Sequence, residues 1–260
     1  MRVLLLFFLL LLLIAPVSHS QRKQVATIAA NDRVVHQTPN RGDCSPWRAL
    51  VKGYPKKRRA TITYPVVSGL KDAGAWRRVQ SILQVKNVFD SSVAEYRRDR
   101  WLDEFSYKVN FNKNGILDIT FSQSGSGAYP DAQSRHFAIN LKNGSIIKAS
   151  DVFVAGKLME LSATVNKELQ AELQEILKSK QEANSDPEDI RTASEAQEPL
   201  EFKVENLDNF SVGNKGLTFL YDAGYRHVIQ AFEPNGRYFF SYSELKAHLK
   251  RDGPLGQFLQ

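Results

Sequence analysis

The chain has 260 residues, of which 42% are hydrophobic and 24% are charged, and it contains 15 glycines, 10 prolines and a single cysteine. These proportions exclude a collagen, a small disulfide-stapled domain and a wholly disordered chain. Only one apolar run approaches the length of a membrane span, so the composition also excludes a polytopic membrane protein.

The first twenty residues have the layout of a secretory signal peptide. Arg2 supplies a positive charge, an apolar run follows at 3–14, and Pro16 ends it. Small residues then predict cleavage between Ser20 and Gln21, so the mature chain is expected to be secreted or periplasmic. The alternative is an uncleaved N-terminal membrane anchor, although the run is shorter than the ~20 residues that span a bilayer.

Positive charge is concentrated in residues 21–60, which carry ten Lys and Arg against two Asp. The remainder, 61–260, carries 24 Lys and Arg against 26 Asp and Glu. Because 21–60 has no sustained periodicity, we predict a basic, disordered arm, either a solvated tether or a contact for an anionic polymer or a membrane surface. A nucleic-acid partner is not expected for an exported chain. Cys44 has no second cysteine with which to form an internal disulfide.

Periodicity predicts an α+β fold, with antiparallel sheet packed against about three helices. Strands are predicted over 61–67, 105–111, 117–121, 137–141, 145–148, 217–221, 227–232 and 238–240, and at Phe202. Helices are predicted over 75–89 and 158–176, and a Ser-x-x-Glu capping box at 241–244 predicts a third that runs to Leu249. The Ser/Gly-rich stretch 122–128 is predicted to be a flexible loop. Asn114-Gly115 and Asn143-Gly144 are typical of tight turns.

No catalytic motif is present at recognisable spacing. The chain has no HExxH or CxxC, and the Ser/Gly stretch lacks the Lys-Ser/Thr ending of a phosphate-binding loop, so we predict no metal site and no cofactor. His136 with Asp131, or His227 with Asp222, are pairs that the fold could bring together. We therefore assign no catalytic residue, and the sequence favours a protein without catalytic activity.

The richest candidate for a recognition surface is aromatic. Tyr221, Tyr225, Arg226 and His227 surround a glycine turn, and Tyr129 is a second candidate. Tyr and Arg are favoured anchors of interfaces because they combine a large contact area with a polar tip. The alternative is that the tyrosine rings cap the core with their hydroxyls at its rim.

Two stretches resemble the RsiV-like C-terminal domain, a domain of unknown function. The first runs from Ser-Gly-Ala-Tyr-Pro at 126–130 through Phe-Ala-Ile-Asn-Leu-Lys-Asn-Gly at 137–144 to Ala-Ser-Asp-Val-Phe at 149–153. The second runs from Gly-Leu-Thr-Phe-Leu-Tyr at 216–221 to Tyr-Ser-Glu-Leu at 242–245. Upstream, 61–121 is similar to the domain that precedes it in RsiV and in PdaC-type cell-wall proteins. Tyr129 stands where the family pattern has a histidine.

The resemblance implies an extracytoplasmic module that binds lysozyme in RsiV and accompanies a peptidoglycan deacetylase domain in PdaC-type proteins. We expect neither a cytoplasmic anti-sigma segment nor a deacetylase domain here. The signal peptide at 1–20 and the arm at 21–60 precede the region of resemblance. The resemblance divides the rest into an N-terminal subdomain at 61–125 and a C-terminal subdomain at 126–250, which contains an acidic excursion at 178–200, and a tail follows at 251–260.

The expected function is an exported, non-catalytic binding module for a cell-envelope partner, with a lysozyme-like muramidase or a glycan as candidates. The alternative is a cell-envelope hydrolase or peptidoglycan deacetylase. Reactive side chains that converge in a cleft would favour the enzyme, whereas a shallow aromatic patch would favour binding.

Overall fold

The computed structural model describes residues 26–37, 58–98, 101–126, 130–183, 200–225 and 227–259. Three features of the sequence lie outside the described residues. They are the predicted signal peptide with its cleavage site, the cysteine at position 44, and most of the predicted acidic excursion. No helix in the described part combines the length and hydropathy that crossing a bilayer requires.

The strands of the described part form two sheets. The larger sheet contains, in chain order, β1 (Thr27–Gln37), β2 (Arg58–Ser68), β3 (Leu102–Lys113), β4 (Ile116–Ser126), β5 (Pro130–Asn140) and β6 (Ser145–Ile146). The smaller sheet contains β7 (Phe210–Val212), β8 (Gly216–Leu220) and β9 (Arg237–Ser241). All paired strands are antiparallel except β2 and β3.

Helices cover both sheets. The α-helices are α1 (Ala73–Ile82), α2 (Val85–Val88), α3 (Val93–Arg98), α4 (Ala149–Val152) and α5 (Leu158–Glu182). The first three form the crossover that the parallel β2–β3 pair requires. The prediction of an α+β fold is confirmed.

Part of the predicted arm is a strand. Thr27–Gln37 form β1 and pair with β2 over the whole length of both strands. The prediction of disorder over 21–60 is therefore wrong for these residues. The alternation of apolar and polar side chains in β1 is weak, and the antiparallel backbone ladder with β2 holds it in the sheet, so periodicity did not reveal it.

The stretch 122–126 is not a loop, because it continues β4. β4 pairs with β5 without a register shift from Ile116↔Asn140 to Ser126↔Pro130. The subdomain boundary predicted at 125/126 therefore falls inside one sheet. Small polar residues suggested a loop, but here they lie in a strand that pairs with a neighbour on each side, and the backbone ladders decide its conformation.

Four further predictions differ from the structure. His227–Phe232 is a 3₁₀ helix and not a strand, because Ile229 and Phe232 recur at a spacing of three and pack beside Ile176 and Leu177 of α5. The predicted helix at 75–89 divides into α1 and α2. α5 continues to Glu182, beyond the predicted start of the acidic excursion. Phe202 is a buried core residue outside any strand.

Two local predictions are confirmed. Asn114 and Gly115 join β3 to β4 with positive φ angles of 57° and 76°, as a type I′ turn requires. In the capping box, the Ser241 N–H donates to Glu244 Oε2 at 2.7 Å, and the Glu244 N–H donates to Ser241 Oγ at 3.3 Å. The helix that follows is a short 3₁₀ turn, Glu244–Ala247.

The two faces of the larger sheet belong to different cores. One face packs under α1, α2 and α3, with Phe105, Phe121 and Ile139 among the fully buried side chains. One end of the opposite face packs against α5 and the smaller sheet, with Phe111 and Ile116 in that second core. The rest of this second face is left without a covering layer from the smaller sheet.

The turn between β5 and β6 is packed against α1. Gly144 has a φ of +71°, and a Cβ at this position would lie 2.5 Å from the carbonyl oxygen of Ala75. Arg78 Nε donates to the carbonyl oxygen of Asn143 at 2.6 Å across the same contact. The glycine therefore allows the helix to approach the turn closely.

We predict that Gly144→Ala lowers the free energy of unfolding by about 2 kcal/mol, because the added methyl both strains the backbone and overlaps α1. Gly156→Ala is the control, since nothing lies within 4 Å of a Cβ there. Urea unfolding of the two variants measures the difference. Equal midpoints for both variants and the wild type would contradict this account of the contact.

Candidate functional site

A cleft of about 910 Å³ lies between the larger sheet and the smaller one. Its first wall is formed by Thr120 of β4 and by residues 132–136 of β5. Its second wall is formed by residues 220–222 and 234–237, around the ends of β8 and β9. Phe89 lies at the helical side of the first wall.

A fully buried carboxylate, Asp118, lies beneath this cleft and accepts hydrogen bonds from four donors. Oδ1 accepts from Asn110 Nδ2 at 2.9 Å and from Ser211 Oγ at 3.0 Å. Oδ2 accepts from the Val212 N–H at 2.6 Å and from His136 Nε2 at 3.0 Å. Because Ser211 and Val212 belong to β7, this carboxylate joins the two sheets.

The network continues from His136 to a hydroxyl in the cleft wall. His136 Nδ1 lies 3.0 Å from Thr120 Oγ1. Thr120 Oγ1 also accepts from Asn110 Nδ2 at 2.9 Å. In the neutral tautomer with the proton on Nε2, His136 donates to Asp118, and Nδ1 then accepts from the threonine hydroxyl. Carboxylate, imidazole and hydroxyl thus form one chain of hydrogen bonds that ends at the cleft.

Strand register places these groups together. Asp118 and Thr120 are two residues apart on β4 and therefore share a face, while His136 is directly opposite Thr120 on β5. Asn110 falls at a register shift between Val109 and Phe111 on β3. A bulge of this kind turns a side chain toward a site that a regular strand would not let it reach.

Chemically, the arrangement can hold and move a proton. In nucleophilic hydrolases a carboxylate orients an imidazole, and the imidazole takes the proton of a hydroxyl. Here the same order runs from Asp118 through His136 to Thr120. The His136 side chain is only 6% exposed, so solvent access to the chain is through Thr120 and the cleft. Burial, and secondarily the charge of Asp118, raises the pKa of Tyr242 well above its ordinary value.

Of the two tyrosines of the predicted aromatic surface, Tyr221 lines the cleft and Tyr225 does not. Tyr221 is half-buried and lines the cleft, and its ring lies 5.8 Å from that of Phe202. Tyr225 packs instead against the small apolar cluster of Ile229 and Phe232. Burial raises the pKa of both tyrosines. Tyr221 thus packs on the second core, as the capping alternative expects, whereas Tyr225 packs on a separate cluster and not on the core of either sheet.

The structure does not describe the side chains of the other predicted contact residues. Tyr129 and Arg226 lie outside the described residues, and of His227 only the backbone, in the 3₁₀ helix, is described. Asp222 lines the cleft. His136 pairs with Asp118 and not with Asp131, because Asp131 lies five residues before His136 on β5 and its side chain therefore points to the opposite face of the sheet.

The sequence analysis did not identify Asp118, Thr120 or Asn110. The available signal was a lone carboxylate in Ile116-Leu117-Asp118-Ile119, inside a predicted strand and flanked on both sides by apolar residues. A charge there must be buried or lie on a polar face, and buried charges are paired.

In the described ranges, no three His, Cys, Asp or Glu side chains form a group that could hold a metal ion.

The fold is similar to that of known proteins, although the sequence is not. No family model and no curated protein matches this chain. A crystal structure of a member of the DUF3298 family from Bacteroides fragilis aligns with 92% of this chain and 99% of its own, at 11% identity and a TM-score of 0.57. A DUF3298 family protein from Pseudomonas aeruginosa aligns with 86% of this chain and 94% of its own, at 13% identity and a TM-score of 0.49. The first likeness shows a shared fold.

We predict that Asp118→Asn destabilises the protein by about 3 kcal/mol. Both oxygens of Asp118 accept hydrogen bonds, so an NH₂ group in place of either oxygen would face a donor instead of an acceptor. Asp131→Asn is the control, since Asp131 is exposed and, among the residues that the structure describes, accepts only from the neighbouring Ala132 N–H at 2.9 Å. Thermal and urea unfolding provide the comparison. An Asp118→Asn protein as stable as the control would show that this carboxylate does not hold the sheets together.

Proposed function

We propose that this protein is an exported, non-catalytic binding module of the RsiV-like type, and that the cleft between its sheets is where it binds a cell-envelope partner. The observation that carries the proposal is the cleft itself. At about 910 Å³ it is at the upper end of the range of ligand sites. The exported location rests on the predicted signal peptide.

The side chains at the cleft provide for recognition of a polar surface. Arg237 and Asn235 are exposed on one wall, and Gln133 and Arg135 are exposed on the other. Arg135 forms an exposed ion pair with Asp90 at 3.6 Å, and Tyr221 adds an aromatic ring. Arg and Tyr at the centre of a concave surface are typical of binding hot spots.

The resemblance supplies the first partner to test, a lysozyme-like muramidase. Lysozymes are typically cationic. Residues 58–260 together with β1 carry 27 Lys and Arg against 27 Asp and Glu, so this part of the protein does not repel such a partner, whereas residues 38–57, with five Lys and Arg against one Asp, would. A peptidoglycan glycan is the second partner to test. Both are envelope components that an exported chain would meet.

We predict that Arg237→Ala weakens the binding of a lysozyme about tenfold, because an interface arginine supplies several charge-assisted hydrogen bonds. Calorimetry with the purified mature chain measures the affinity. Arg77→Ala is the matched control, since Arg77 is exposed on α1 away from the cleft. Soluble peptidoglycan fragments are titrated in parallel. If neither ligand binds the wild type, or both variants bind as the wild type does, the cleft is not the binding site proposed.

A second candidate function is a cell-envelope hydrolase. The hydrogen-bonded chain from Asp118 through His136 to Thr120, which ends in the cleft, favours it. Thr120 Oγ1 would attack an acyl carbon while His136 Nδ1 takes the hydroxyl proton and returns it to the leaving group. Water would then release the acyl group from the threonine.

For the hydrolase, we predict that Thr120→Val reduces turnover of O-acetylated peptidoglycan about 10³-fold, because the nucleophile is lost while the shape is kept. Ser122→Ala is the matched control, since Ser122 is an exposed hydroxyl two residues along β4 on the same face. Acetate release is measured. Absence of turnover by the wild type, or equal turnover by both variants, would leave only the binding function.

A further inference from the structure

The first wall of the cleft is the edge of a strand and not one face of it. Residues 132–136 of β5 all line the cleft, although successive side chains of a strand point to opposite faces. Residues 131–135 are all exposed, whereas a strand covered on one face would show alternating burial. The cleft therefore extends along the edge of β5, from the helical face to the opposite face.

The direction of the backbone groups on this edge follows from the end of β5. The Ile147 N–H donates to the carbonyl oxygen of Ala138 at 2.7 Å, on the side away from β4. Backbone groups alternate sides along an antiparallel strand, and β5 has no register shift against β4. His136 and Ser134, which are two and four residues before Ala138, therefore present their N–H and C=O groups to the cleft.

This edge has no strand partner within the described part of the chain. β6 pairs with β5 only at Ile139 and Asn140, which leaves 130–137 without a second ladder. The Ala132 N–H is bonded by the side chain of Asp131 at 2.9 Å. No described residue bonds the outward backbone groups of Ser134 or His136. Uncovered edges of this length are templates for pairing with another chain.

We infer that the cleft binds an extended peptide segment of a partner protein, which adds to β5 as the next strand of the larger sheet. This inference rests on the proposed binding function and names the partner's chemistry. Ser134 and His136 offer donors and acceptors at a spacing of about 6.8 Å, which a peptide backbone matches. A cleft of about 910 Å³ has room for such a segment beside the edge.

The walls of the cleft predict how the peptide is read. Side chains of an added strand alternate between the two faces of the sheet. On one face they would meet Phe89 and Arg135, and on the other they would meet Thr120 and Tyr221. Backbone pairing would provide affinity, and these alternate contacts would provide specificity.

The test uses the mature chain and a display library of peptides about seven residues long, from which binders to the wild type are selected. Ser134→Pro removes one outward N–H at an edge position where proline is tolerated in a strand, and Ser134→Ala removes only the hydroxyl. We expect selected peptides to lose at least about tenfold in affinity for Ser134→Pro and to keep their affinity for Ser134→Ala.

A second measurement does not depend on the fold of the proline variant. Selected peptides are N-methylated at single positions and titrated against the wild type. Methylation at every other residue should abolish binding, and methylation at the residues between should not, because only alternate N–H groups face β5. No selected binder, or equal tolerance of methylation at all positions, would overturn the inference.

The remaining outcomes separate this inference from the proposed function. If the lysozyme or the glycan fragments bind, and Arg237→Ala weakens binding while Ser134→Pro does not, the cleft is the site but strand addition is wrong. If the wild type dimerises in sedimentation and Ser134→Pro does not, the strand that pairs with β5 belongs to a second copy and not to a partner protein, which also overturns the inference.

Discussion

The arrangement of the whole molecule depends on one buried carboxylate. Asp118 is near the start of β4 and has no exposed surface, and donors from β3, β5 and β7 satisfy both of its oxygens. A charge in such a position is tolerated only when it is fully hydrogen-bonded, so the smaller sheet must dock where Ser211 and Val212 can reach it. The docking position of β7 then determines how much of the larger sheet remains uncovered.

The uncovered part is where function is to be sought. β7 covers the row of side chains at Asp118, and the next row, with Thr120 and His136, opens into the cleft. The same geometry leaves the edge of β5 without a partner among the described residues, because β6 ends after two residues and the chain turns away into α4. A polar network for structure and an open edge for recognition are thus neighbours, and a single strand pair, β4 and β5, supplies both.

The proposals differ in what they require of this pair. A binding module needs the cleft walls and the free backbone groups, and it uses the Asp118–His136–Thr120 chain only as support. A hydrolase needs the same chain to deliver a proton at the surface of the cleft. The likeness in fold to the Bacteroides fragilis protein bears on neither, since it establishes a shared architecture at 11% identity.

Local patterns in the sequence determined the α+β class, the Asn114-Gly115 hairpin, the long helix α5 and the capping box at Ser241, because alternation, turn chemistry and capping act over a few residues. β1, the strand character of 122–126 and the 3₁₀ helix at His227–Phe232 were decided by pairing and packing with distant segments. The site was decided in the same way. His136 meets Asp118 only through the register of β5 on β4, and the free edge exists only because β6 is short, so neither could be recognised before the strands were paired.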